Sequence, residues 1–332
     1  MSISSTDPTA RYLNLAAARL GARVLSVTDE FFAPAERMLA ESAPVFIPDK
    51  YDDHGKWMDG WETRRRRGVG HDTAVIALGA AGLIHALEID TSHFTGNYPM
   101  AASVEGCWLD EGASLAEADW QPLLPVTPLQ GNHRHVLTPA RVAPCSHLRL
   151  HIYPDGGIAR FRAYGTPVVD WARLRGEEME LSAARLGGMV LAYSDAHYGR
   201  PDALLYPGRG VNMGDGWETR RRREPGFDWC VIALGHRGKI VRLEVDTAFF
   251  KGNYPAEVSV QAACLDADAD PAVVRTASMF WPTLLPPQPL GPDAIHHFRA
   301  ELQAMGPVTH VRLNIHPDGG MSRFRVFGEA CD

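Results

Sequence analysis

Two identical blocks hold the side chains best suited to chemistry. Each reads Asp-Gly-Trp-Glu-Thr-Arg-Arg-Arg-Arg, at Asp59–Arg67 and again at Asp215–Arg223. A carboxyl group held against an indole ring can have its pKa raised towards the range of general acid–base catalysis. A guanidinium group binds a carboxylate through two parallel hydrogen bonds. Glu62 and Glu218 are therefore candidate acid–base groups, and the arginines that follow them are candidates for binding a small carboxylate.

A structural role for these residues is the alternative. In an extended segment, alternation places Glu62, Arg64 and Arg66 on one face, and Thr63 and Arg65 on the other. The arginines can equally form ion pairs on a solvated strand face, and the glutamates can serve as their partners. Nearby carboxylates that could take part are Asp72, Glu88 and Asp90. The sequence leaves both interpretations open.

A second repeated block follows an apolar stretch in each half of the chain. Asp90-Thr91 and Asp246-Thr247 precede a Phe-x-Gly-Asn-Tyr-Pro sequence. Carboxylate, hydroxyl and amide groups at a strand end can orient a polar ligand or satisfy the backbone of a loop. We expect the glycines of this loop to supply its positive φ. The further candidates here are Asn97 and Asn253, together with His93, whose counterpart is Phe249.

No metal or nucleotide motif stands out. Of the fourteen histidines, His133 and His135 come nearest to a ligand pair, and only His297 answers them in the second half. A hydrogen-bonded histidine is the preferred interpretation, and a divalent metal ion stays open. The sequence has no GxGxxG, P-loop or GxSxG spacing, so dinucleotide, nucleoside triphosphate and serine-hydrolase chemistry lack support.

The elements that must position these residues come from a duplication. The offset between the copies is 215 − 59 = 156, and 27 of the 41 positions from 59 to 99 are identical without a gap. The offset is 195 − 29 = 166 upstream and 317 − 154 = 163 downstream, so the second copy lacks ten residues before the block and gains seven after it. We predict two copies of one domain, at 1–166 and 167–332.

The repeats also indicate the type of secondary structure. Ala74–Leu87 alone suits a buried helix, but its counterpart Cys230–Val245 has polar residues and glycines in its middle, which predicts strand, turn, strand. Alternation over Val311–Ile315, followed by Pro-Asp-Gly-Gly and Phe324–Phe327, predicts a hairpin. Each domain is thus expected to be an antiparallel β-sandwich or jelly roll in an all-β protein.

Composition excludes several classes. Lys+Arg number 33 and Asp+Glu 40, so the net charge is −7, and a nucleic-acid partner is not expected. Five cysteines, an odd number without CxxC spacing, favour neither a disulfide framework nor a thiolate metal site. The most apolar window, Ala74–Leu87, is shorter than the roughly 18 residues of a membrane span. We therefore expect no membrane partner and a cytoplasmic location.

The combined blocks resemble the allantoicase family. Gly55–Arg65, Asp90–Asn97 and Pro154–Gly157 are similar to its first repeat. The second repeat is matched by Asp215–Arg221, Asp246–Asn253 and Pro317–Gly320. The similarity runs from about Leu20 to Gly328. It implies tandem jelly rolls of the galactose-binding-like type and a hydrolase that converts allantoate to (S)-ureidoglycolate and urea.

Under this resemblance the candidate residues take specific roles. Glu62 and Glu218 would perform acid–base catalysis, with Asp90 and Asp246 orienting and His93 carrying a proton. The substrate-binding set would be Arg64, Arg65, Asn97, Arg220, Arg221 and Asn253. Because His93 and the ten extra residues belong to the first copy alone, we expect catalysis to depend more on that copy. The alternatives are a non-catalytic carbohydrate or small-ligand module and an amidohydrolase for a related ureido compound. We also expect a homo-oligomer.

Overall fold

The computed structural model describes residues 11–110, 112–266 and 269–331. The chain divides into two compact units, Met1–Val169 and Asp170–Asp332. Both are built almost entirely of antiparallel strands, which confirms the predicted all-β fold with two tandem sandwich domains. The boundary expected between 166 and 167 lies three residues before the one between these units.

The first domain contains short 3-10 turns at Ala18–Leu20, Ala35–Leu39 and Leu115–Glu117. Its strands are β1 (Leu13–Asn14), β2 (Arg23–Val27), β3 (Tyr51–Asp52), β4 (Gly55–Lys56), β5 (Trp61–Glu62), β6 (Asp72–Asp90), β7 (Ala101–Cys107), β8 (Gln121–Pro128), β9 (Arg134–Leu137), β10 (Pro144–Tyr153), β11 (Gly157–Ile158) and β12 (Arg160–Pro167). They pair in the order β1-β12-β6-β10-β7-β8, with β2 and β9 also on β6, and β5 pairs with β11.

The second domain repeats this arrangement. Its strands are β13 (Glu178–Glu180), β14 (Met189–Tyr193), β15 (Trp217–Glu218), β16 (Asp228–Asp246), β17 (Glu257–Ala263), β18 (Thr283–Pro289), β19 (Ile295–Phe298), β20 (Val308–His316), β21 (Gly320–Met321) and β22 (Arg323–Ala330). The order is β13-β22-β16-β20-β17-β18, with β14 and β19 on β16. Helix α1 (Pro271–Ala277) and 3-10 turns at Ala184–Leu186, Pro201–Leu205, Met213–Asp215 and Ser278–Phe280 complete it.

One long strand organises each sandwich. In the first domain, residues 72–77 of β6 pair with β2 and β10, whereas residues 82–90 pair with β12. Both ends of β6 bond the same short stretch, since the Asp72 N–H donates to Pro154 and the Ala159 N–H donates to Asp90. The strand therefore bends back on itself, and its buried aliphatic side chains contribute to one core.

Two local expectations are wrong. The interval predicted as strand, turn, strand is one continuous strand in both domains, because residues 78–81 and 234–237 interrupt the pairing with β10 and β20 without ending the strand. The predicted hairpin is also absent from the described pairings. β20 and β22 each pair with β16 instead, so Pro317–Gly320 crosses between partners of different halves of that strand.

The length differences between the copies fall in connections. The ten extra residues of the first domain lie between Val45 and Asp59 and contain the β3–β4 hairpin. Helix α1 follows β17 in the part of the second domain that gains seven residues. None of the helices in the described ranges is long and apolar enough to cross a membrane.

Candidate active site

A buried tryptophan fixes the glutamate of each repeated block. The Trp61 indole is fully buried, and its Nε1 donates to the backbone oxygen of Asp29 at 2.8 Å. Trp217 makes the same bond to Asp195, also at 2.8 Å. Because side chains alternate along a strand, burial of the tryptophan directs the next residue away from the core. Each glutamate therefore emerges from its domain at a defined position.

Each glutamate meets the asparagine of the other repeated block. Asn97 Nδ2 donates to Glu62 Oε1 at 2.5 Å, and Asn253 Nδ2 donates to Glu218 Oε1 at 2.5 Å. Burial raises the pKa of Glu62, and the charge of Asp52 on the β3–β4 hairpin raises it further, whereas the Asn97 bond lowers it. The structure thus brings together two predicted site residues in each domain, and the pKa of Glu62 is raised above that of an ordinary glutamic acid.

The arginine runs do not follow the predicted alternation. Strand β5 ends at Glu62, and beyond it Thr63 is buried whereas Arg64 and Arg65 are both exposed. Arg64 is held by Asp29, with Nη2 2.6 Å and Nε 2.8 Å from its Oδ1. Burial alone would raise the pKa of Asp29, but the hydrogen bonds from Arg64 outweigh it and lower that pKa. Arg65 forms no side-chain bond within the described ranges.

In the second domain, carboxylates neutralise fewer of the charges of the corresponding arginines. Asp195 Oδ2 accepts the main-chain N–H of Arg220 at 2.7 Å, but no described carboxylate pairs with the Arg220 guanidinium. Four arginines line a cavity of about 160 Å³. The residues around it are Arg220, Arg221, Arg222, Arg223, Glu224 and Asp228. The lining therefore has four cationic and two anionic residues, and Asp228 pairs with Arg222.

Sequence reasoning missed the residues that shape both arginine runs. Arg66 pairs with Asp72 at 2.5 Å, and its N–H donates to Asp155 Oδ2 at 2.8 Å. Arg222 repeats both contacts, to Asp228 at 2.5 Å and Asp318 at 2.8 Å. All four carboxylates occur at matching positions in the two copies, which was the available signal. Of these four carboxylates, only Asp72 is among the partners expected from the sequence.

A buried ion pair beneath each site was also missed. Arg160 is fully buried, and its Nη2 lies 2.7 Å from Asp59 Oδ2. Arg323 and Asp215 form the equivalent pair at 3.0 Å. Each arginine also donates to backbone oxygens, so the charge is satisfied in several directions. The first Asp of the repeated block thus anchors that block to the strand that follows the Pro-Asp-Gly-Gly turn.

The aspartates that end the long strands are buried. Asp90 Oδ1 accepts the N–H of Ser92, and Asp246 Oδ1 accepts that of Ala248, both at 2.8 Å. Each therefore shapes the loop that carries its asparagine. Asp246 Oδ2 also lies 3.2 Å from Nε of Arg209. The predicted orienting aspartates thus differ in their partners between the domains.

His93 lies in the Asp90 loop and contacts the region of the insertion. Its Nε2 is 3.2 Å from the backbone oxygen of Pro44, and its ring stacks on that of Phe46 with 5.8 Å between the ring centroids. The expected source of positive φ was wrong, because His93 (69°) and Phe249 (70°) adopt it rather than Gly96 and Gly252.

Of the two neighbouring histidines, His135 bonds the backbone through both of its ring nitrogens. His135 Nε2 accepts the N–H of Gln130 at 2.9 Å, and its Nδ1 lies 3.0 Å from the oxygen of Ile89. The counterpart of His135 is His296, not the expected His297, because His296 stands opposite Val245 and makes the same two kinds of bond. Within residues 11–110, 112–266 and 269–331, no three His, Cys, Asp or Glu side chains are grouped to hold a metal ion.

Known proteins are similar to this chain in both sequence and fold. The sequence model named Allantoicase repeat matches residues 13–168 and 179–331. The chain is 55% identical to Probable allantoicase 2 of Burkholderia pseudomallei, covering 97% of this chain and 96% of that protein. It is 53% identical to Probable allantoicase of Ralstonia nicotianae, covering 98% and 97%. The crystal structure of allantoicase from Saccharomyces cerevisiae is 35% identical with a TM-score of 0.79, covering 96% and 93%. The chain belongs to the allantoicase family.

Proposed function

We propose that this chain hydrolyses allantoate to ureidoglycolate and urea. The observation that carries the proposal is its identity of 53–55% to proteins named allantoicase along nearly their whole length. In this reaction the oxygen of water bonds to the central carbon, the C–N bond to one ureido arm breaks, and a proton of the water ends on the leaving nitrogen. The substrate is a small molecule with one carboxylate.

We assign the acid–base role chiefly to Glu62. A urea nitrogen leaves readily only when protonated, and the raised pKa of Glu62 keeps a proton available at higher pH than an ordinary glutamic acid. Asn97 orients the carboxyl group. Glu218 and Asn253 are the corresponding pair of the second domain. His93 is the proposed proton carrier of the first domain.

The carboxylate of allantoate is proposed to bind to arginines that lack a carboxylate of their own. Arg65, Arg220 and Arg221 are exposed, and none has a side-chain ion pair in the described part of the chain. Arg64 is held by Asp29, so it contributes less. Asp90 and Asp246 remain the proposed orienting groups.

A urea assay with purified protein and allantoate tests the activity. We expect urea release, measured with and without a chelator to determine metal dependence. Binding of allantoate without urea would indicate a non-catalytic ligand module. Turnover of another ureido compound from a panel, with none of allantoate, would indicate a related amidohydrolase.

The acid–base assignment predicts unequal effects of two matched substitutions. Glu62→Gln should lower kcat by about 100-fold or more, because loss of a general acid typically costs a factor of 10² to 10⁴. Glu218→Gln, which alters the same pair with asparagine in the other domain, should cost less. Near-parental urea release by both variants would show that the assignment is wrong.

We also propose a homo-oligomer in the cytoplasm. The odd number of cysteines, all five of them free thiols in the structure, is compatible with a reducing compartment. Light scattering of the purified protein tests the oligomer, and a single-chain mass would contradict it. Fractionation of cells tests the location, and recovery outside the cytoplasmic fraction would contradict that.

A further inference from the structure

The buried aspartates that end the two long strands have different hydrogen-bonding partners. Asp246 is 2% exposed, and Arg209 Nε lies 3.2 Å from its Oδ2. The side chain of Arg209 is 53% exposed, so this guanidinium reaches the buried carboxylate from the solvent side. Asp90 is 3% exposed, and the Ser92 N–H bonds its Oδ1. Throughout the described ranges, no group donates to Oδ2 of Asp90.

Matching contacts in the two domains show which first-domain residue corresponds to Arg209. Arg160 Nε donates to the oxygen of Ser42 at 2.8 Å, and Arg323 Nε donates to that of Gly208 at 3.0 Å. Three residues later, the N–H of Val45 bonds Asp59 and the N–H of Val211 bonds Asp215. Both stretches between these contacts have the same length.

The residue of the first domain that corresponds to Arg209 is therefore Ala43. Ala43 is exposed, and its methyl group carries no donor for Asp90. The ten-residue insertion begins only after Val45, so it does not disturb this correspondence.

We infer that Oδ2 of Asp90 and the space beside Ala43 form a subsite for a ureido group, and that the Arg209 guanidinium fills the equivalent subsite of the second domain. A ureido group and a guanidinium are both planar and present N–H donors from adjacent nitrogens. A carboxylate oxygen to which no protein group donates can accept N–H donors from a ligand, and such charge-assisted hydrogen bonds add affinity. This inference deepens the proposed function and rests on it.

The first test places the second domain's arginine in the first domain. Ala43→Arg should raise KM and lower kcat/KM at least 50-fold, because its guanidinium competes with the ureido arm for Asp90. Ala43→Met adds similar bulk without N–H donors and should lower kcat/KM less than tenfold. Thermal unfolding confirms that both fold. Parental kcat/KM in Ala43→Arg, or equal losses in both variants, would overturn the inference.

The second test empties the subsite of the second domain. Calorimetric titration with N-carbamoylglycine, which has one ureido group and one carboxylate, should give one equivalent per chain for the parental protein and two for Arg209→Ala. Adding Asp246→Asn to Arg209→Ala should return the value to one. A value of one for Arg209→Ala would overturn the inference.

The two proposals fail separately. If the parental protein releases no urea from allantoate, the proposed function fails, whereas the titration still decides whether Arg209 fills a ureido subsite.

Discussion

Glu62 combines a hydrogen-bonding partner with partial burial. Asn97 bonds one of its oxygens, while burial and the hairpin residue Asp52 raise its pKa. The folded protein therefore binds the Glu62 proton more tightly than the unfolded chain does. For a carboxyl group whose folded pKa is raised, this stabilisation is complete at low pH and is lost as the pH rises through the folded pKa. The raised pKa of Glu62 thus has a cost in stability at neutral pH.

This cost predicts a pH-dependent effect of removing the charge. Glu62→Gln keeps an acceptor for Asn97 but cannot ionise, so its Tm relative to the parental protein should be higher at pH 8 than at pH 4. Calorimetric scans at both pH values measure the difference. A Tm difference that is independent of pH, or that favours the parental protein more at pH 8, would contradict the raised pKa.

Single residues were predictable from the sequence, but their contacts were not. Glu62 and Asn97 were identified separately because each belongs to a block that occurs twice. Their contact joins residues 35 positions apart through the loop that follows β6. Asp29 and Asp155 are repeated as Asp195 and Asp318, but repetition alone did not show that they hold Arg64 and Arg66 in the fold. Arg209 corresponds to Ala43 in the first copy, so it is not a repeated residue and the duplication did not reveal it.

At the scale of elements, the sequence patterns predict where the strands lie but not which strands pair with each other. Alternation predicted the strands, because it reports which face of each residue is buried. It does not report which strand pairs with which. The bend of β6 and β16 is therefore read as a turn, and two strands that both pair with β16 are read as a hairpin with each other.

The β3–β4 hairpin is the element with the clearest functional expectation. Its surroundings contact the first-domain site, since Phe46 stacks on His93 and Asp52 influences Glu62. Replacing residues 51–56 by two glycines should lower kcat/KM at least tenfold with a change in Tm of a few degrees, because Tyr51 is 68% exposed. Met213→Ala, in the shorter second-domain connection, is the control. Equal losses in both variants would contradict the dependence on the first domain.

On the scale of the whole molecule, duplication places an arginine run in each half of an acidic chain. The net charge of −7 is compatible with these runs because local carboxylates neutralise part of each one. The length of each half, about 166 residues, is enough to bury a core of its own. Trp61 and Phe94 are fully buried in the first domain, as Trp217 and Phe250 are in the second.

Paired glycine substitutions test whether the two cores contribute independently to stability. A Cβ on Gly157 would lie 2.0 Å from the buried Phe94 ring, and one on Gly320 would lie 2.0 Å from Phe250. Overpacking of this kind costs about 1–3 kcal/mol, so Gly157→Ala and Gly320→Ala should each destabilise the protein.

Because the nearest neighbours of the two added methyl groups are different side chains, Phe94 and Phe250, the double variant should lose the sum of the single losses within about 0.5 kcal/mol in denaturant titrations. Gly96→Ala and Gly252→Ala are matched controls, since a Cβ there meets nothing within 4 Å. They should unfold like the parental protein. A double-variant loss far from the sum would mean that the two cores do not act independently.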